Sequence, residues 1–169
     1  TGAADAALVV GVEKLSTVTD RTDPQTGPLF GDGAGAAVLV RGEGPLTVRA
    51  RSWWADGKLA DALKRPSGGS ARPFDRTVLE ERSHLLRMEG TRLFRAAVRT
   101  MAAQARTALG RAGLTVGDVG LVVPHQANLR IIEAAAREIG VPMDRVYVNV
   151  DRYGNTGAAT IPIALDEAM

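Results

Sequence analysis

The chain has 169 residues, 45% of them hydrophobic, and no cysteine. That apolar share excludes a disordered chain, and zero cysteines exclude a disulfide framework, thiolate metal sites and a cysteine nucleophile within it. Two histidines, His84 and His125, are too few for a histidine-rich metal site. The longest apolar stretches, residues 34–40 and 120–124, are too short to cross a bilayer, and no basic-then-apolar segment opens the sequence. The expectation is a cytoplasmic α/β protein with no membrane partner and no metal.

The net charge of +2 conceals an uneven distribution. Residues 41–111 carry 15 Lys/Arg against 7 Asp/Glu, whereas the remainder carries 6 against 12. Eighteen of the 21 basic residues are arginine, the side chain suited to bidentate carboxylate or phosphate contacts. Such a segment reads as a solvated face or as a surface for a phosphorylated cofactor or an acidic protein. Nucleic acid is the weakest reading, because no helix-turn-helix signature or aromatic stacking platform accompanies the charge.

In chain order, the apolar run at 6–13 predicts an interior strand covered on both faces. Residues 15–28, rich in Thr, Asp and Pro, predict a loop. Small residues then pass into a β-branched run over 30–40, as where backbone approaches backbone before a strand. Residues 46–52 alternate enough to predict another strand, and Pro66, Gly68, Gly69 and Pro73 mark an irregular connection after it. Residues 91–112 predict the clearest helix, with Leu93, Phe94, Ala97, Val98 and Met101 on its apolar side, several arginines opposite, and Gly113 as its stop. A strand at 118–123, a helix at 128–139, a strand at 146–150 and a helix from 157 onward complete an alternating α/β unit. Both ends read as cut, since the sequence opens just before a strand and closes inside a helical segment.

Gly31-Asp32-Gly33-Ala34-Gly35-Ala36 suggests a phosphate loop but fails on context, because its glycines precede a strand and open no helix. Tight backbone packing is the better reading. Pro124-His125-Gln126-Ala127-Asn128 is more informative, since His125 follows one predicted strand and Asn155 follows the next, where open α/β sheets place their chemistry. Two readings stand on spacing alone. The imidazole and the amide converge as donors on one oxygen, or His125 is structural and Asn155 forms a turn. His84 sits in a charged run and is expected to be exposed. Trp53 and Trp54 are either local packing or a cover over a pocket.

These words together resemble β-ketoacyl-acyl carrier protein synthase III, of the thiolase-like condensing-enzyme superfamily. The matching words are Leu8-Val9-Val10-Gly11-Val12, Phe30-Gly31-Asp32-Gly33-Ala34-Gly35, Pro124-His125-Gln126-Ala127-Asn128-Leu129-Arg130 and Gly154-Asn155-Thr156-Gly157-Ala158-Ala159, and the resemblance runs over essentially the whole chain. It implies a partial thiolase-like αβαβα layered fold. Residues 1–42 would end the N-terminal half, 43–117 would connect with the arginine-rich helix, and 118–169 would supply most of the C-terminal half.

The resemblance further implies that His125 and Asn155 are catalytic, while the nucleophilic cysteine lies upstream of Thr1. Thr91, Arg21 and Asn128 map to cofactor-binding positions for coenzyme A, Phe94 to the acyl-pocket or tunnel wall, and Arg130 to carrier-protein docking. Arg21 is a nearby substitute, since the family's Asp-Arg-Gly word is here Asp20-Arg21-Thr22, and Thr91 stands where the family's best-known type has asparagine. No cofactor is expected to be tightly bound. Acyl-CoA would be a substrate, acyl carrier protein a partner, and the complete enzyme a homodimer paired through strands of its first half. The implied activity is decarboxylative condensation of an acyl-CoA starter with malonyl-acyl carrier protein, in fatty-acid or polyketide synthesis. A same-fold O- or N-acyltransferase without decarboxylation and a non-catalytic partner subunit are the alternatives.

Overall fold

The computed structural model describes residues 4–42, 44 and 46–169. The expected boundary at residue 43 lies outside the described residues. Strands β1 (Ala6–Lys14) and β2 (Asp32–Val40) pair antiparallel, with Ala6 opposite Val40, Gly11 opposite Gly35 and Lys14 opposite Asp32. Alternation across a strand puts Gly11, Gly33 and Gly35 on one face and Leu8, Val10, Val12 and Val38 on the other. The glycine face receives residues 156–163. A Cβ on Gly11 would stand 2.4 Å from the Ala158 carbonyl oxygen, and one on Gly35 would stand 2.8 Å from Pro162 Cγ. The glycine run therefore serves close packing. The other face departs from expectation: Leu8 is 68% and Val38 67% exposed, so within this chain the pair is covered on one face only, and there only around Gly11, Gly33 and Gly35.

The strand expected at 46–52 does not form. These residues have no ladder partner among the described residues, and alternation makes a strand only where a neighbour supplies hydrogen bonds. The irregular connection contains a 3-10 turn (Gly57–Ala62), the two-residue β3 (Leu63–Lys64) and the short helix α1 (Arg76–Glu80). It closes with β4 (Arg87–Met88), antiparallel to β3. His84, expected to be exposed, is half-buried here, its ring 5.8 Å from that of Phe74.

Helix α2 (Gly90–Ala112) has 23 residues and so runs for about 35 Å. It stops at Gly113, whose φ of 69° is a left-handed conformation that costs glycine little. Helix α3 (Leu129–Ile139) lies against it. Ala102 of α2 and Ile132, Ala136 and Ile139 of α3 form a buried core with Val141 and Val146. Alanine at the contact lets the helices approach closely, and the isoleucines fill the space left between them.

The strands expected at 118–123 and 146–150 reduce to a single parallel bridge between Val122 and Val146. There the Val122 N–H donates to the Arg145 carbonyl at 2.8 Å and the Tyr147 N–H to the Val122 carbonyl at 2.9 Å. Short apolar runs fit an extended crossing of the core as well as a ladder. Val122, Val146, Val148 and Val150 indeed pack on the α2–α3 core. Val150 opens helix α4 (Val150–Tyr153) instead of closing a strand. The final segment is a 3-10 turn (Gly157–Ala159) leading into α5 (Thr160–Ala168), which packs on β2.

Candidate active site

A cavity of about 950 Å³ opens between the loop at 25–30, the first half of α2 and residues 125–131. Its wall is largely apolar, with Leu29, Phe30, Leu59, Leu63, Met88 and Phe94 among its side chains. His125 and Asn155 both line it, as do Thr91, Asn128 and Arg130. Arg21 does not, but Gln25 of the same loop does.

His125 is held from its own segment. The neighbouring Gln126 is 1% exposed, and its Nε2 donates to the carbonyls of Pro124 at 3.0 Å and Tyr147 at 3.1 Å. Gln126 Oε1 accepts from the Asn149 N–H at 3.0 Å. One buried amide thus satisfies three backbone groups where the 124–126 segment crosses the 147–149 segment, with no ladder to do so. Beside it, the half-buried His125 ring places Nδ1 2.5 Å from Thr160 Oγ1. Burial holds the His125 pKa below its ordinary 6.5, because desolvation disfavours the imidazolium. The ring is therefore neutral at pH 7, and NMR titration of the folded full-length protein should give a midpoint below 6.5. A midpoint above that value would show a compensating charge that the packing does not provide.

Asn155 is fixed at both backbone groups. Its N–H donates to the Leu29 carbonyl at 2.8 Å, and its own carbonyl accepts from the Gly31 N–H at 3.0 Å. Its side-chain Oδ1 accepts from the Gly157 N–H at 3.0 Å. With that oxygen engaged, the free polar group of the Asn155 amide is its NH₂, which can only donate. Glu167 steadies the preceding turn, accepting from Asn149 Nδ2, Tyr153 Oη and both terminal nitrogens of Arg152 at 2.7–2.9 Å. Those contacts, with the Asn149 amide first, hold its carboxyl below the usual carboxylate range.

Asn128 has a structural duty besides its place on the wall. Its Oδ1 caps α3, accepting from the N–H groups of Arg130 at 2.9 Å and Ile131 at 3.3 Å. Arg130 and Arg95 are exposed on the cavity wall, and neither forms an ion pair among the described residues. Among the described residues no group of three His, Asp or Glu is placed to hold a metal ion, and no helix is long and apolar enough to cross a membrane.

Sequence reading alone misses three features of this site and leaves a fourth undivided. Gln25 carried no signal beyond sharing the polar loop with Arg21. Of the two tryptophans read as packing or as a pocket cover, Trp54 lines the cavity while Trp53 is 83% exposed. Gln126 sits inside the quoted motif, yet its stitching role needs the neighbouring segment to be seen. Thr160 lies one residue beyond the last matching word.

Two family models match the chain: 3-oxoacyl-[acyl-carrier-protein] synthase III over residues 1–57, and the C-terminal model of the same synthase over residues 109–169. The chain is 47% identical over 168 residues to a beta-ketoacyl-[acyl-carrier-protein] synthase III of Roseiflexus castenholzii, covering 99% of this chain and 51% of that protein. The crystal structure of 3-oxoacyl-[acyl-carrier-protein] synthase III from Aquifex aeolicus superposes with a TM-score of 0.85 at 43% identity, over 99% of this chain and 49% of that one. The priming β-ketosynthase of a polyketide biosynthetic pathway superposes with a TM-score of 0.79 at 39% identity, again over 99% of this chain and 49% of that one. The chain spans about half the length of the relatives it matches. With this fold and these motif words, it belongs to the 3-oxoacyl-[acyl-carrier-protein] synthase III family of thiolase-like condensing enzymes.

Proposed function

We propose that the full-length protein condenses an acyl-CoA starter with malonyl-acyl carrier protein, and that this chain carries the site of decarboxylation. The observation that carries the reading is that His125 and Asn155 line one apolar cavity, with Asn155 Oδ1 engaged by the Gly157 N–H so that its NH₂ is the amide group left to donate. When a malonyl thioester loses carbon dioxide, the electrons of the breaking C–C bond move into an enolate, and charge collects on the thioester oxygen. Two fixed donors in an apolar cavity stabilise that charge without reorganising. The enolate carbon then attacks the acyl group held as a cysteine thioester, forming the new C–C bond and expelling the thiolate. This chain has no cysteine, so the nucleophile belongs to the other half of the protein.

Thr91 and Asn128 would contact the pantetheine arm, Phe94 would form part of the acyl tunnel, and Arg130 with Arg95 would receive the phosphate or the acidic carrier protein. Arg21, outside the cavity wall, would reach coenzyme A only beyond it. The division into residues 1–42, 43–117 and 118–169, as the end of one half, a connection and most of the second half, is kept as part of this reading, although the two family models reach residue 57 and begin at residue 109. Homodimer pairing has its support in the exposed apolar face of β1 and β2. The proposed use of coenzyme A and carrier-protein substrates supports a cytoplasmic location.

The test supplies the full-length protein with acyl-CoA and malonyl-acyl carrier protein. One carbon dioxide released per β-ketoacyl product is expected. Acyl transfer to an alcohol or amine with no carbon dioxide would replace this reading with the non-decarboxylating one.

A further inference from the structure

Thr160 opens α5 and is 2% exposed. Its hydroxyl oxygen lies 2.5 Å from His125 Nδ1 and 2.9 Å from the Gly157 carbonyl oxygen. A hydroxyl has one proton, so it can donate to only one of the two. The choice decides the chemistry of the ring. If the proton goes to Gly157, Thr160 must accept from an Nδ1–H, and neutral His125 shows a bare Nε2, a general base. If it goes to Nδ1, the ring carries its proton on Nε2 and is a hydrogen-bond donor.

We propose that Thr160 is a positioning residue that donates to His125 Nδ1 and so fixes the Nε2–H tautomer of the imidazole. This rests on the reading of His125 as a decarboxylation donor and supplies what that reading requires. Two observations favour it. The Gly157 carbonyl already accepts the Thr160 backbone N–H, so it does not depend on the hydroxyl. Nδ1 has no other hydrogen-bond partner among the described residues, and in particular no carboxylate that would hold a proton there. Threonine fits the task, because its branched Cβ restricts χ1 and holds the hydroxyl at the ring.

The tautomer is read directly by nitrogen NMR of the resting full-length protein labelled at histidine, with the His125 signals identified by their loss in His125→Ala. The expected result is a pyridine-type Nδ1 and a pyrrole-type Nε2. A pyrrole-type Nδ1 would overturn the proposal and make His125 a base. In Thr160→Val, the tautomer preference should relax and carbon dioxide release should fall about tenfold, with acyl-enzyme formation and melting temperature held. Thr160→Ser should restore both the nitrogen signature and most of the rate. An equal fall of both half-reactions in Thr160→Val, unrescued by serine, would mark the residue as merely structural and contradict the proposal. If Thr160→Val does not fold, the wild-type nitrogen signals still decide. Because they need no turnover, an Nε2–H ring in a protein whose His125→Ala variant decarboxylates normally would uphold the tautomer and reject the donor reading.

Discussion

Asn155→Ala in the full-length protein should slow malonyl decarboxylation by roughly 10²–10³, while formation of the acyl-enzyme continues near its normal rate. The asymmetry follows from where charge appears. Decarboxylation puts negative charge on an oxygen that must find fixed donors, whereas acyl transfer to cysteine draws on the cysteine's own surroundings. His125→Ala should produce a loss of similar size, and the double variant should lose less than the two effects added if both donors serve one oxygen as proposed. Asn155→Asp separates chemistry from architecture. Aspartate can still accept from the Gly157 N–H and keep the loop in place, yet it replaces the NH₂ donor by a second oxygen of an anion. Its decarboxylation should fall below that of Asn155→Ala with its melting temperature preserved. A turn-forming role for Asn155 predicts the reverse, with aspartate tolerated and alanine unstable. The two half-reactions, followed separately as carbon dioxide release and acyl-enzyme mass, tell these outcomes apart.

Gly31→Ala should be strongly destabilising, since its added Cβ would make the shortest contact of any glycine among the described residues. A Cβ at Gly31 would stand 2.1 Å from the Tyr153 carbonyl oxygen, a backbone atom with no rotamer to escape into. The same glycine donates its N–H to the Asn155 carbonyl at 3.0 Å, so relief of the clash pulls the Asn155 segment away from β2. The expected cost is about 3 kcal/mol of stability, at the upper end for overpacking, with decarboxylation lost alongside. Gly110→Ala is the matched control. It lies within α2, has a φ outside the positive range and no neighbour within 4 Å of the added Cβ, and should gain about 0.5–1 kcal/mol. Thermal unfolding of the two full-length variants checks both signs. An unchanged melting temperature in Gly31→Ala would show that the 153–156 segment is looser than its packing indicates.

How far the sequence is legible depends on how local the determinant is. Helices α2 and α3 announce themselves through periodicity and through Gly113 and Gly140, because these signals lie within the helix or at its end. The β1–β2 pair is legible for a similar reason, with apolar and small residues in runs of strand length. Residues 46–52, 118–123 and 146–150 carry the same local pattern without becoming ladders, since a strand is completed by a neighbour's hydrogen bonds and Val122 finds only Val146. The cavity follows the same division. His125 and Asn155 stand in words specific enough to single them out. The residues that set their chemistry act across the fold: Gln126 by joining two extended segments, the Gly157 N–H by turning the Asn155 amide, and Thr160 by contacting a ring 35 positions away in the chain.

The central claim is that His125 and Asn155 bind one oxygen of a malonyl thioester. A crystal structure of the full-length protein with a malonyl thioester mimic that cannot lose its carboxylate tests this most directly. The account predicts the mimic in the 950 Å³ cavity, its thioester carbonyl oxygen within hydrogen-bonding distance of both His125 Nε2 and Asn155 Nδ2. A carbonyl directed away from both side chains, with the mimic otherwise seated in the cavity, would contradict it.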